Sequence, residues 1–243
     1  MAAVAYDADW YSRFREDSRA SARAVVPMLL EWTGAASVVD IGCGQGIWLS
    51  VFAEEGVDDH LGVDGPHVDP AALAIARERF LAHDLETPFE LERRFDLATC
   101  FEVAEHLPET SAAGFVASLA RLAPIVAFSA AIPHQGGTGH QNERWPEYWA
   151  ALFATHGMRA IDCIRPRIWS DPDVSWWYAQ NLLLFADDET IAASAALRIA
   201  RSHTRDERLA MVHPAHYLAT AAEGRTRRAL RRATRPLRRA LGR

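Results

Sequence analysis

Residues 38–46, VVDIGCGQG, join a short apolar run to a turn of three glycines, with Asp40 two positions before the first of them. Val38, Val39 and Ile41 are β-branched, which suits a strand buried on both faces of a parallel sheet. Gly42, Gly44 and Gly46 permit positive φ and allow a ligand to approach the backbone closely. Beyond the turn, Trp48, Leu49, Val51 and Phe52 recur at helical spacing, so a helix starts there with its N-terminus at the turn. Strand, glycine turn and helix together read as a nucleotide-binding corner. The spacing is G-x-G-x-G and not the G-x-G-x-x-G of the dinucleotide fingerprint, so a pyrophosphate cradle is not specified.

Working outward, HLGVDG (60–65) reads as a second strand ending in Asp64, which lies 24 positions after Asp40. That is close to the ~20-residue offset of an acid that hydrogen-bonds ribose hydroxyls. FLAHDL (80–85) reads as a third strand, and FDLATCFEVAEHLP (95–108) as a fourth strand with its loop. A helix near Ile47–Glu55 and another near Pro70–Arg79 separate these strands, the βαβ signature of a parallel sheet covered on both faces. Taken singly, Asp64 also fits the start of a turn and Asp84 the N-cap of a short helical turn. Next come a helix over 109–122, a fifth strand within PIVAFSAAIP (124–133) and a loop, HQGGTGHQNERWPEYW (134–149). This loop leads into a helix from Trp145 to His156 that Gly157 stops. MRAIDCIRPRIW and SWWYAQNLLLFAD read as two more strands around the turn SDPD. On the second, Ser175–Leu184, alternation puts Trp177 and Asn181 on one face and Tyr178 and Gln180 on the other. Upstream, Tyr6–Trp32 forms one or two helices that cap the sheet as a partial lid, with Phe14 among their apolar positions. Asp187 or Asp188 caps a terminal helix, which Pro214 breaks.

The 243 residues, 49% hydrophobic, suffice for one core with extensions. All 26 basic residues are arginine, and nine of them fall in Arg225–Arg243 without an acid, so the body is more acidic than the net charge of −6. Leu230, Leu237 and Leu241 give that tail a narrow apolar stripe. Pro236 interrupts it and aromatics are absent, which favours a solvated tail over a nucleic-acid or lipid contact. Cys43, Cys100 and Cys163 are odd in number and widely spaced, so they give neither a disulfide framework nor a zinc pattern. With no basic-then-apolar leader and no membrane-length apolar run, the expected compartment is the cytoplasm.

The acid-x-G-x-G-x-G pattern of Asp40, Gly42, Gly44 and Gly46, followed in order by Asp64, Asp84 and FEVAEHLP, resembles the class I S-adenosylmethionine-dependent methyltransferases. The resemblance implies an α/β, Rossmann-like, seven-stranded and mostly parallel sheet with an antiparallel last strand. It divides the chain into a helical cap (1–36), an S-adenosylmethionine-binding domain (37–187), a helical extension (188–224) and the Arg-rich tail (225–243). It places the cofactor on Asp40, Gly42, Gly44, Gly46, Asp64, Gly65, Asp84, Leu85 and Glu102, with Asp64 on the ribose and Asp84 at the adenine amino group. FSAAIPHQGGTGHQNERWPEYWAALFATHGM (128–158) further resembles a bacterial subgroup associated with carbohydrate or natural-product gene clusters. His134 departs from the smaller residue expected there.

Methyl transfer from a sulfonium chiefly requires alignment of acceptor, carbon and sulfur. A hydroxyl acceptor also needs a base, which histidine supplies near neutral pH. His140 is the first candidate, with Glu143 as its orienting partner or an alternative base, and His106 serves equally well as a structural turn residue. His134, Asn142, Trp145, Trp177, Tyr178 and Asn181 are the expected substrate contacts. His134, His140 and Glu143 lack helical metal spacing, so no metal is expected. The expected reaction is methylation of a hydroxyl or amine on a small polar metabolite, such as a sugar or natural-product scaffold. A homodimer is compatible with this, and nucleic acid is not an expected partner. Two alternatives stand beside it: a lyase or cyclase releasing methylthioadenosine and a cyclic amino acid, and a non-catalytic cofactor-binding scaffold docked through the tail.

Overall fold

The computed structural model describes residues 8–222, with side chains described from residue 15 onward. The expectations for the tail 225–243, and for the side chain of Phe14, lie outside the described residues.

Seven strands make one sheet: β1 (Ser37–Ile41), β2 (Asp59–Asp64), β3 (Phe80–Ala82), β4 (Leu97–Phe101), β5 (Ile125–Ser129), β6 (Met158–Ile161) and β7 (Leu183–Asp187). Their order is β3-β2-β1-β4-β5-β7-β6. Neighbours are parallel from β3 to β5, and β7 runs antiparallel to both β5 and β6. β4 and β5 are buried at every position, as strands covered on both faces must be.

Adjacent strand residues feed opposite layers. Val38, Leu97, Ile125 and Leu184 join a core with α1 (Ala8–Thr33) and α2 (Ile47–Glu54). There the α1 stripe Ala22, Val25, Val26 and Leu29 follows the i, i+3, i+4, i+7 spacing of a helix buried along one face. Val39, Ala98, Val126 and Phe185 join a second core with α3 (Ala112–Leu122) and α4 (Pro146–Ala154). Phe153 of α4 stacks on Phe185 with ring centroids 4.1 Å apart.

Several expected elements are corrected. Pro70–Arg79 is no helix but two 3-10 turns, Pro70–Ala72 and Arg77–Arg79. Its backbone bonds are diverted, since Ala74 N donates to Gln45 O of the glycine turn at 2.7 Å. The strand expected over Ser175–Leu184 is instead α6 (Trp176–Asn181), followed by β7. Aromatic strand propensity yields here to tertiary contact, because Ser175 N donates to Ser21 Oγ of α1 at 3.0 Å and fixes the start of a helix. After β6 the chain likewise turns into α5 (Arg165–Ile168). The extension holds α7 (Asp188–Ala193) and α8 (Ala195–His203). Asp187 caps α7, accepting from Thr190 N at 2.7 Å. Pro214 opens a further helix, 214–222, rather than breaking one. Among the described residues no helix is long and apolar enough to cross a membrane.

Candidate active site

The chain leaves β1 toward β2 and returns on the other side as β4, so the crevice beyond these two strands is the topological switch point where open α/β sheets bind ligands. A chamber of about 710 Å³ opens there. One wall is the glycine turn. Gly42, Gly44 and Gly46 have φ of 78°, 53° and 76°. A Cβ on Gly42 would overlap Val103, whereas one on Gly44 would meet nothing within 4 Å. Asp64 clamps the turn: Oδ2 accepts from Gly44 N and Oδ1 from Gly65 N, both at 2.6 Å.

The other two acids sit differently. Asp40 lies buried beneath the turn, accepting from Thr99 Oγ1 at 2.7 Å. Burial, reinforced by the Asp64 charge and opposed by the Thr99 bond, pushes its carboxyl up to about 7. Asp84 is exposed and caps its own turn, Oδ1 accepting from Glu86 N at 3.0 Å, while Leu85 is buried in the core. Of the expected cofactor residues, Gly42, Gly44 and Glu102 line the chamber, whereas Asp40, Gly46, Asp64, Gly65, Asp84 and Leu85 do not. The three acids thus sit differently about the turn: Asp64 is bonded to it, Asp40 lies beneath it and Asp84 is exposed just after β3.

Aromatic rings line the middle of the chamber. Trp48 lies 4.4 Å from Phe101 and 5.2 Å from Tyr178, centroid to centroid. Trp176 and Trp177 line it as well, and α1 reaches its rim through Arg15 and Asp17, as a partial lid would.

The opposite wall is polar and comes from distant segments. Glu102, directly after β4, takes a left-handed φ of 56°, rare for a side-chain-bearing residue. Its carboxylate accepts from Gln135 Nε2 at 2.8 Å and Asn181 Nδ2 at 3.1 Å. Gln135 Oε1 accepts in turn from Asn181 Nδ2 at 2.9 Å and Gln180 Nε2 at 3.0 Å. Burial raises the Glu102 pKa despite these donors. The 3-10 turn Ala104–His106 follows. Its Glu105 is fully buried, and neither carboxylate oxygen makes a well-formed hydrogen bond, although the backbone N–H groups of Glu105 and Ala131 and the Glu102 carboxyl lie near it. Burial first, then the Glu102 charge, pushes this carboxyl well above the usual range.

Two backbone N–H groups, of Gln141 and Asn142, donate to Glu105 O at 2.8 and 3.0 Å and lace the long loop to that turn. His140 thereby comes to His106, their rings edge-on with centroids 4.8 Å apart. His140 Nδ1 donates to Glu143 Oε1 at 2.9 Å. Glu143 also accepts from His134 N at 2.8 Å and Gly136 N at 2.9 Å. Although burial opposes it, these donors hold the Glu143 carboxyl below its ordinary value. Partial desolvation and the neighbouring His140 depress His106.

The expected catalytic trio, His106, His140 and Glu143, is thus assembled, and Trp177 and Tyr178 line the chamber. Asn181 acts within the Glu102 network. His134, Asn142 and Trp145 do not line the chamber: His134 is exposed, Asn142 is buried with its Oδ1 on Arg144 Nε at 2.9 Å, and Trp145 is 41% exposed at the start of α4. Sequence reading overlooked Trp48, Glu105 and Gln135. The repeat of an acid three residues apart in E-V-A-E-H was the available signal for Glu105; Gln135 offered none.

Residues 8–162 match the family described as the methyltransferase domain. The chain is 28% identical over 116 residues to the ubiquinone biosynthesis O-methyltransferase of Stutzerimonas stutzeri (strain A1501), covering 41% of this chain and 47% of that protein. It spans less than half the length of the curated relatives it matches. Among solved structures it is similar to the sugar N-methyltransferase KedS8 from Streptoalloteichus sp ATCC 53650, with a TM-score of 0.57, 19% identity, and coverage of 77% of this chain and 97% of that one. It is also similar to Streptomyces venezuelae DesVI, with a TM-score of 0.56, 18% identity, and coverage of 75% and 99%. At such identities these likenesses show the fold. The family match, in contrast, spans more than half of the 243 residues. The chain that builds this glycine-walled chamber belongs to the methyltransferase-domain family and takes S-adenosylmethionine as its cofactor.

Proposed function

We propose that this protein methylates a hydroxyl or amine of a small polar metabolite, with a sugar or natural-product scaffold as the acceptor class. The observation that carries this reading is the pairing, across one chamber, of an open glycine turn with a polar wall of Glu102, His106, Gln135 and His140. Gly44, whose Cβ position is open space, and Asp64, which holds Gly44 in place, suit a nucleoside donor. When bound, S-adenosylmethionine supplies an electrophilic methyl group on a sulfonium. Trp48, Phe101 and Tyr178 offer aromatic faces that attract such a cation and exclude water from it. The polar wall orients the acceptor, and the imidazoles of His106 and His140 are the groups able to activate a hydroxyl. Glu143 fixes which His140 nitrogen faces the chamber. The sugar N-methyltransferase and the quinone-pathway O-methyltransferase named above support both acceptor atoms equally.

The test is transfer of a labelled methyl group into a panel of amino and hydroxyl sugars and glycosylated natural products, with S-adenosylhomocysteine quantified alongside. Methylated acceptor equal to S-adenosylhomocysteine is expected, and His140→Asn lowers turnover of a hydroxyl acceptor by about a hundredfold or more. Methylthioadenosine released without any acceptor, or donor binding with no turnover across the panel, overturns the proposal.

A further inference from the structure

We propose that Glu105, His106 and His140 form a divalent-cation site on the acceptor wall, whose remaining positions take a hydroxyl oxygen of the acceptor. The site is an inference of its own, while the acceptor half of it rests on the methyltransferase reading above.

The donor atoms of these three residues lie within 4.8 Å of one another. Ligands at about 2.0–2.2 Å from a metal lie roughly 3.5 Å apart, so the three need to close by only about an ångström. Glu105 supplies the independent sign. It is 0% exposed and neither oxygen makes a well-formed hydrogen bond, the backbone N–H groups of Glu105 and Ala131 and the Glu102 carboxyl offering only poorly aligned contacts. A buried polar group without a hydrogen bond is costly, and one beside two imidazoles is relieved by a shared cation.

The surroundings prepare the ligands. With Nδ1 committed to Glu143, His140 has Nε2 free, which is the carboxylate–histidine arrangement that orients metal ligands. A Cβ on Gly137 would overlap that Nε2, so a glycine keeps the adjoining space clear. Gln141 Nε2 donates to His106 O at 2.8 Å, adding a third bond between the two ligand-bearing segments. Glu102, tied to Gln135 and Asn181, adds negative charge beside the site without serving as a ligand.

Two imidazoles and one carboxylate suit a borderline ion such as Zn²⁺ or Co²⁺ and also accept the harder Mn²⁺. Glu105, His106 and His140 all line the chamber, so positions they leave open face it. A hydroxyl bound there is acidified. Its proton leaves to solvent, the oxygen–carbon bond forms as the carbon–sulfur bond breaks, and the donor departs as a neutral thioether. His140 is then a ligand rather than the proton acceptor.

The experiment uses chelator-stripped full-length protein titrated calorimetrically with Zn²⁺ and Mn²⁺, and with Co²⁺ followed by its visible absorption. S-adenosylmethionine binding, measured in parallel, reports folding and the donor reading separately. One ion per chain is expected. Glu105→Gln and His140→Asn should each weaken it at least 100-fold, and Glu143→Gln about 10- to 100-fold, with donor affinity unchanged. Glu105→Gln mimics a protonated carboxyl, so an unchanged ion affinity in that variant overturns the site, as does the absence of stoichiometric binding by a chain that still binds the donor. An ion bound by a chain that fails to bind the donor upholds the site and removes the methyltransferase reading. Chelation should abolish turnover of hydroxyl acceptors, with Mn²⁺ restoring it; turnover indifferent to chelation overturns the assignment of the acceptor.

Discussion

The two walls of the chamber are built by opposite means. The donor wall comes from residues 40–65, two neighbouring strands and one turn, and is held by backbone conformation and the two short bonds from Asp64. The acceptor wall gathers residues 102–106, 134–143 and 176–181, held mainly by side-chain hydrogen bonds among Glu102, Gln135, Gln180 and Asn181. A wall made of backbone admits little variation, while a wall made of side chains can be re-specified one residue at a time. On the function proposed above, the fixed part is the one that faces the common donor and the adjustable part the one that faces the acceptor.

The largest expected effect lies beneath the acceptor wall. Arg165 is 0% exposed, bonded through Nε and Nη2 to Asp162 at 2.9 and 2.7 Å and through Nη1 to Gln180 O at 3.0 Å and Leu209 O at 2.7 Å. It ties α5, α6 and the C-terminal extension together. Arg165→Met keeps much of the volume but strands a carboxylate and two carbonyls, so a loss of about 3–5 kcal/mol in urea unfolding is expected. Acceptor binding should suffer more than donor binding. A loss under ~1 kcal/mol would mean that the acceptor wall does not depend on this buried support.

On the donor side the counterpart is Asp40. Its carboxyl titrates at about 7 in the fold against an ordinary 3.8, so between those values the native state holds a proton that the unfolded chain has lost. Stability therefore falls as pH rises from about 4 to about 7, by on the order of 3 kcal/mol from this group, and levels off above. Asp40→Asn should remove that slope in unfolding curves measured across the range. An identical slope in the variant would place the titration elsewhere.

Two glycines sharpen the contrast within one turn. Gly42→Ala combines a left-handed backbone with overlap of Val103, whereas Gly44→Ala carries only the backbone cost. Losses of about 2–3 and about 1 kcal/mol are expected. Equal losses would show that Val103 gives way freely. Donor titration of both variants then tells whether Gly44 is needed for stability or for ligand approach.

The same asymmetry decided what was legible in the sequence. VVDIGCGQG carries its strand, turn and helix within one local stretch, and the order of apolar runs gave all seven strands except for the end of the sixth and the start of the last. His140 and Glu143 could be paired because they are three residues apart. Ser175–Asn181 could not be read correctly, since its helix is set by a hydrogen bond to Ser21, 154 positions away. Nor could the partnership of Glu105 with His140, because it depends on a loop laced to a turn 35 residues earlier. Asp84 shows the limit of reading one residue: the same residue type serves a ribose, an adenine or its own turn, and here its Oδ1 accepts from Glu86 N.

The smallest expected effect comes from an exposed ion pair set against the buried one. Arg93 also meets Asp59, at the start of β2, through two bonds, end-on from Nη1 and Nη2 at 2.8 and 2.5 Å, where Arg165 meets Asp162 side-on through Nε and Nη2. Here the side chains are 50% and 43% exposed, against 0% and 20% for the buried pair. The bond to Arg93 lowers the Asp59 pKa, but water screens the exposed pair and both side chains lose rotamer freedom in forming it. Arg93→Ala should therefore cost at most about 1 kcal/mol, and less as salt is added. If unfolding in low and high salt gave this pair a loss comparable to that of Arg165, desolvation would not be what separates them. The strength of the acceptor wall would then have to come from the carbonyls of Gln180 and Leu209, to which Arg165 also donates.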